Sequence, residues 1–217
     1  MSEIKNWLRN KLPLVFDKEN AVVAIKIPIF PLKTVLFPDS MLTLRVFEQR
    51  YMDMTKHCLR ENLPFGVCLI KEGEEVGTPA IPEQIGCLAK ITDWDMHQQG
   101  ILNIKIQGLQ RLSIQSFKPD NNGLIMATIL NVSAEPHQAV PESLQSCVTM
   151  LKRIVQEAGE DKFLAPLKYN DAAWVSYRLA ETLPIKLSAK QSMLEMNDSI
   201  TRLQILASFL KKQGLGT

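Results

Sequence analysis

Residues 25–51 read IKIPIFPLKTVLFPDSMLTLRVFEQRY, from Ile25 to Tyr51, and this stretch decides the fold. Ile25, Ile27 and Ile29 alternate as a strand does, with every second side chain on one face. Pro28, Pro31 and Pro38 punctuate the run. Because proline has no N–H to give to a ladder, the reading places them at strand ends, in turns or on an edge. Alternation resumes at Leu42, Leu44 and Val46. From Phe47 the spacing becomes helical, with Phe47, Tyr51, Met54 and Cys58 on one stripe, which predicts a helix over 48–62 closed by Pro64.

Downstream, Phe65 to Ile70 reads as a buried strand, and KEGEEVGTPAIP (71–82) as a surface connection rich in Gly, Pro and Glu. Ile85–Trp94 and Ile101–Gln107 flank a four-residue loop, His97 to Gly100, as a hairpin. Leu112, Ile114 and Ser116 predict a further strand, Asp120 to Gly123 a turn, and 124–132 a last strand. Gly66, Gly77, Gly86 and Gly108 fall at or near strand ends and read as architecture rather than as a phosphate cradle.

The pattern changes at SAEPHQAVP (133–141), after which every periodic segment is helical. Residues 142–158 carry Leu144, Cys147, Val148, Leu151, Ile154 and Val155 on one face, with Gly159 past the end. Asp171 caps a helix that stops at Leu183 before Pro184. Ser188 with Gln191 suggests a capping box, and Asn197 or Asp198 opens a last helix presenting Ile200, Leu203, Leu206, Ala207 and Leu210. The expected organisation is a leader (1–22) with an amphipathic stripe of Ile4, Trp7, Leu8 and Leu12, a β domain (23–134) and a helical bundle (135–217).

Composition narrows the function. The 217 residues are 46% hydrophobic and 22% charged, with 25 basic against 23 acidic side chains, so no overall field draws the chain to nucleic acid or an anionic membrane. The N-terminus lacks the apolar core of a signal peptide, and no window approaches the roughly 18 apolar residues of a membrane span. Cys58, Cys68, Cys87 and Cys147 have no C-x-x-C spacing and read as buried free thiols, which fits a reducing, cytoplasmic location.

Catalytic signals are absent. There is no G-x-x-x-x-G-K-[ST] and no G-x-S-x-G, and His57, His97 and His137 lack zinc-site spacing. Ser188 and Ser192 beside Lys190 lie at a helix start without the glycine-framed oxyanion hole a nucleophilic serine needs. Glu72, Glu74 and Glu75, like Asp93 and Asp95, read as solvated surface. No cofactor, metal or catalytic residue is expected, and the chain reads as a non-enzyme.

The run Pro31, Leu32, Val35 to Pro38 and Leu44 to Tyr51 resembles the start of the Lon protease N-terminal domain. Phe65 to Val67, Val76 to Thr78, Ala80, Ile85, Gly86, Ala89, Gly108, Arg111, Leu112 and Ile114 continue the resemblance in order. Trp174, Leu179, Ala180, Leu183, Pro184, Lys190, Gln191, Leu194, Asp198, Arg202, Leu203 and Leu206 carry it through the helical part. Glu195 departs from it, since the family more often has leucine there. The resemblance covers roughly residues 25–212 and implies an α+β fold: a PUA-like β pseudo-barrel with one helix, followed by a C-terminal helical bundle. It also implies substrate or partner recognition. In full-length Lon an ATPase and a Ser/Lys protease domain follow this module, and no residues here support either, so the chain is similar to stand-alone bacterial proteins built on the one domain.

The expected partner is therefore unfolded polypeptide or another protein, held on apolar surface contributed by Met41, Phe47, Tyr51, Met54, Trp94 and Met96. Nine methionines supply adaptable contacts. RNA is the alternative, if Arg45, Arg50, Lys90, Lys105, Arg111 and Lys118 converge on one face around an aromatic.

Overall fold

The computed structural model describes residues 14–17 and 22–215. The leader's stripe of Ile4, Trp7, Leu8 and Leu12 lies outside the described residues. Strand β1 (Leu14–Asp17) pairs with the start of β2 (Val22–Leu32). There follow β3 (Met41–Val46), helix α1 (Gln49–Glu61), β4 (Phe65–Glu72), β5 (Ile81–Pro82), β6 (Ile85–Gln98), β7 (Ile101–Pro119) and β8 (Ile125–Asn131). Helices α2 (Gln145–Ala158), α3 (Ala172–Thr182), α4 (Leu187–Glu195) and α5 (Ser199–Lys212) complete the chain.

The sheet order is β1-β2-β8-β7-β6-β4-β5. A parallel pairing of Ile29–Leu32 with Gly66–Leu69 brings β4 back to β2, so β2, β8, β7, β6 and β4 close on themselves as a barrel. Strand β3 lies outside that circuit and, among the described residues, pairs only with β7, from Met41 opposite Gln107 to Val46 opposite Leu102. The alternation of Ile25, Ile27 and Ile29 puts all three into one core cluster with Leu88, Leu112 and Ile129. Past Ile29 the strand is buried on both faces, and Phe30 and Leu32 join a second cluster with Val46, Tyr51 and Met54.

Several sequence expectations change here. Pro28 and Pro31 sit inside β2 rather than at its ends. They are tolerated because β2 changes partners there: pairing with β1 stops at Ile25, pairing with β4 starts at Ile29, and pairing with β8 stops at Ile29, so each proline has one open side. The hairpin loop shortens to Gln99 and Gly100, with Gly100 at φ 82°, a backbone region that favours glycine. The two strands expected around Gly108 are one 19-residue strand. Gly108 allows this because its backbone runs against Phe37; a Cβ there would lie 2.2 Å from the Phe37 carbonyl oxygen. Ser188 is not a capping residue: α4 begins one residue earlier, without a side-chain cap, and Gln191 instead donates to the Ile85 carbonyl. Asp171 and Asp198 cap α3 and α5 as expected, each accepting two backbone N–H groups.

The helices bury Leu151, Val175, Leu179, Leu203 and Leu206 against one another, and Val35, Phe37 and Leu69 from the β part join the same cluster. A charged knot ties the two parts together. Glu135 is buried between Arg202 and Arg111, and the Tyr177 hydroxyl donates to it at 2.6 Å. Arg111 also donates to the Leu194 and Met196 carbonyls, and Arg202 to those of Met193 and Met196. Two buried cations face one carboxylate, and the carbonyl-rich end of α4 supplies the remaining negative potential. Arg111 thus makes a structural ion pair and carbonyl contacts.

Candidate functional site

Strand β3 ends at Val46 and α1 begins at Gln49, so Phe47 and Glu48 form a corner. That corner overhangs a groove of about 290 Å³ between β3 and the last residues of β2. Phe30, Leu32, Leu44, Val46, Phe47, Tyr51 and Val76 line it with apolar surface, and Thr43, Arg45, Glu48 and Glu75 form its polar rim. Tyr51 is the floor. Its ring stacks on Phe30 with centroids 4.1 Å apart, and Arg50 lies over its other neighbourhood at 4.7 Å from the ring centroid. Burial pushes the Tyr51 hydroxyl up to about 12; Arg50 pulls the other way, and Glu48 and Glu75 add to the rise.

The polar rim is only partly neutralised. Arg50 pairs with Glu48 at 2.9 Å and donates to the Gly123 carbonyl at 3.0 Å. Lys33 pairs with Glu74 and gives its backbone N–H to Glu75. Among the described residues Arg45 has no ion pair, and Glu75 has no cation of its own.

The six residues expected to form a binding surface divide. Phe47 is 55% exposed at the groove's wall, whereas Tyr51 is 2% exposed and Met54 is also buried in the barrel core. The correction has a simple cause. Tyr51, Met54 and Cys58 share the inward stripe of α1, but Phe47 precedes the helix and does not follow its phase. Trp94 (56% exposed) and Met96 project from β6; Trp94 stands opposite Ile104, which stands opposite Leu44, so these three share the sheet face that leads to the groove. Met41 is exposed on the other face of β3 with Thr43 and Arg45. Sequence reasoning missed Phe30, Leu32, Leu44, Val46 and Val76. The signal for Val76 was its place as the one bulky apolar side chain among the charged and small residues of 71–79.

Of the six basic residues weighed for RNA, Arg50 and Arg111 are buried in the contacts described, whereas the register puts Arg45, Lys90 and Lys105 on one exposed sheet face, where Lys105 pairs with Asp93 at 3.0 Å. Lys190 donates to the Glu181 carbonyl at 2.6 Å and Ser192 to the Ser188 carbonyl at 3.0 Å; no hydrogen bond joins that lysine to either serine. His57, His97 and His137 face Arg60, Asp95 and Asp171 respectively. A second cleft of about 380 Å³ lies where the β part meets the helices, but its charges answer one another: Lys168 with Asp39, His137 with Asp171, and Arg111 with Glu135. The four cysteines are free and buried, and burial pushes the thiols up, Cys58 and Cys87 to about 12 and Cys147 to about 11.

A closed barrel with a strand outside its circuit, joined to a helical part through buried arginines, can be compared with known proteins. The family model for the ATP-dependent protease La (LON) substrate-binding domain matches residues 26–212. The chain belongs to this family. The crystal structure of a Lon N-terminal domain protein from Xanthomonas campestris is 31% identical, with a TM-score of 0.71 over 84% of this chain and 97% of that one. The N-terminal domain of a Mycobacterium avium complex Lon protease shares the fold at 14% identity and a TM-score of 0.60, covering 86% of this chain and 98% of that one. The Lon protease of Cytophaga hutchinsonii is 22% identical over 215 residues, covering 93% of this chain and 26% of that protein. Lon protease 2 of Herpetosiphon aurantiacus is 24% identical over 206 residues, covering 91% and 25%. The chain thus spans about a quarter of the length of these curated Lon relatives and matches the substrate-binding domain among them. Among the described residues, no helix is long and apolar enough to cross a membrane.

Proposed function

We propose that this Lon-type domain is a non-catalytic binding module that takes up unfolded polypeptide, or an unfolded segment of a partner protein, in the groove between β2, β3 and α1. The observation that carries the reading is Phe47: a phenylalanine more than half exposed beside an apolar groove, with Val76 across from it and Trp94 and Met96 on the adjoining face. Single exposed apolar side chains are ordinary on a monomer, but a contiguous apolar cluster at a concavity marks an interaction site. The family's description as substrate-binding supports the same reading. Four buried, unpaired thiols support a reducing, cytoplasmic setting.

The test is a titration with reduced, carboxymethylated lysozyme, which cannot refold, against the wild-type chain and the Phe47→Ser and Trp94→Ser variants. The reading expects saturable binding that weakens about thirtyfold in Phe47→Ser, since removing one aromatic anchor of the interface costs on the order of 2 kcal/mol. Undetectable binding by the wild type, or the same affinity in both variants, overturns it.

A further inference from the structure

Among the described residues, the groove is walled on one side by an unpaired strand edge, and that edge sets how a polypeptide would lie in it. The Asp39 N–H donates to the Gly108 carbonyl and the Gly108 N–H to the Ser40 carbonyl, both at 2.9 Å, a bulge with Asp39 at φ 60° that leaves the Ser40 carbonyl facing β7 at the entry to β3. Antiparallel pairs alternate between bonded and non-bonded, which makes Leu42, Leu44 and Val46 the bonded residues. The Lys105 carbonyl agrees, because it accepts from Thr92 of β6 and so points away from its opposite residue Thr43. The N–H and C=O groups of Met41, Thr43 and Arg45 therefore point to the free side of β3, where Thr43 and Arg45 line the groove.

Exposed edges invite pairing, and proteins usually blunt them with proline, shortness or cover. Strand β5 follows that pattern, with two residues of which one is Pro82. Strand β3 does not: it has six residues, MLTLRV, and no proline. Opposite it, β2 is open on one side beyond Ile29, where β8 leaves it, so the sheet is split along the groove.

We propose that β3 receives an extended polypeptide segment as an added strand, main chain on the Met41, Thr43 and Arg45 edge and alternate apolar side chains in the groove. This rests on the groove being the binding site and specifies the occupant as a β-strand rather than an amphipathic helix. In an added strand every second side chain faces the groove, so the matching segment alternates apolar with small polar residues. Glu75, which has no ion pair among the described residues, favours a basic residue beside them.

The experiment uses the full chain and a fluorescent heptapeptide of alternating valine and threonine with a lysine at each end, followed by anisotropy. Thr43→Pro removes an outward N–H and obstructs the edge while leaving every side chain of the apolar lining in place. Two N-methylated peptides, blocked at odd or at even amides, probe the unmodified protein and stay informative if the proline variant fails to fold. Strand addition predicts about tenfold weaker binding to Thr43→Pro, and a similar loss for one methylated peptide but not the other, because only one set of amides faces β3. Equal binding of both methylated peptides, or no binding of the parent peptide, overturns it. If Phe47→Ser weakens binding while Thr43→Pro and both methylations do not, the groove reading stands and strand addition falls. If Phe47→Ser has no effect either, both fall.

Discussion

Arg202 and Glu135 meet in a buried ion pair, one guanidinium nitrogen lying 2.9 and 2.8 Å from the two carboxylate oxygens, with side-chain exposures of 0% and 4%. Glu135 leaves the strand region just after β8, and Arg202 lies in the last helix, so the pair fixes where the helices sit on the barrel. Arg202 also stacks over the Tyr177 ring at 4.0 Å.

Removing the carboxylate should be costly. Glu135→Ala leaves Arg111 and Arg202 buried without their counter-charge, and breaking a buried pair in this way costs about 3–5 kcal/mol. A urea unfolding curve should show that loss in the midpoint. A change under about 1 kcal/mol would mean that the α4 carbonyls alone satisfy both arginines.

Stability should fall on the alkaline side. Burial raises the Cys147 thiol to about 11, the Cys58 and Cys87 thiols to about 12 and the Tyr51 hydroxyl to about 12, with Tyr177 raised as well. Each group keeps its proton in the folded chain at a pH where the unfolded chain has lost it. Their contribution is complete below the thiols' ordinary value of 9.0 and is lost as pH rises through the folded values. The urea midpoint should be flat from about pH 7 to pH 8.5 and then decline steadily towards pH 11. A midpoint that holds to that pH would contradict the burial of these groups.

The wall and the floor of the groove should respond differently. Phe47→Ser should change folding stability by no more than about 0.5 kcal/mol, because the side chain is largely solvated. Tyr51→Ala should cost about 3–5 kcal/mol through the cavity left beneath Phe30. Thermal unfolding of the two variants side by side checks this, and equal losses would refute the assignment.

Glycine contacts give a further contrast. Gly108→Ala should destabilise by about 1–3 kcal/mol, since its new Cβ would meet backbone of Phe37 that cannot give way. Gly100→Ala has open space and carries only the penalty of φ 82°, about 1–2 kcal/mol. Denaturant midpoints should rank Gly108→Ala as the more damaging change.

Most of the architecture was legible in residues 25–51 and in the helical half, because alternation and the stripe of Leu203, Leu206 and Leu210 report burial directly. The barrel's closure was not: the parallel pairing of Ile29–Leu32 with β4 leaves no local mark in sequence. The buried knot was half legible, since the resemblance marked Arg111 and Arg202 while nothing named Glu135 as their partner. For the groove, periodicity found Phe47 but grouped it with Tyr51 and Met54. Phase is defined only within one element, and the strand-to-helix corner at Phe47 and Glu48 resets it.

The most direct test of the central claim is to map the contact surface by amide chemical-shift changes in the labelled chain as reduced, carboxymethylated lysozyme is added. Binding at the groove predicts that the shifted amides concentrate in residues 41–48 and 74–76, with Trp94 and Met96 at their margin. Shifts confined to the helices α2 to α5, or none at saturating ligand, would contradict it.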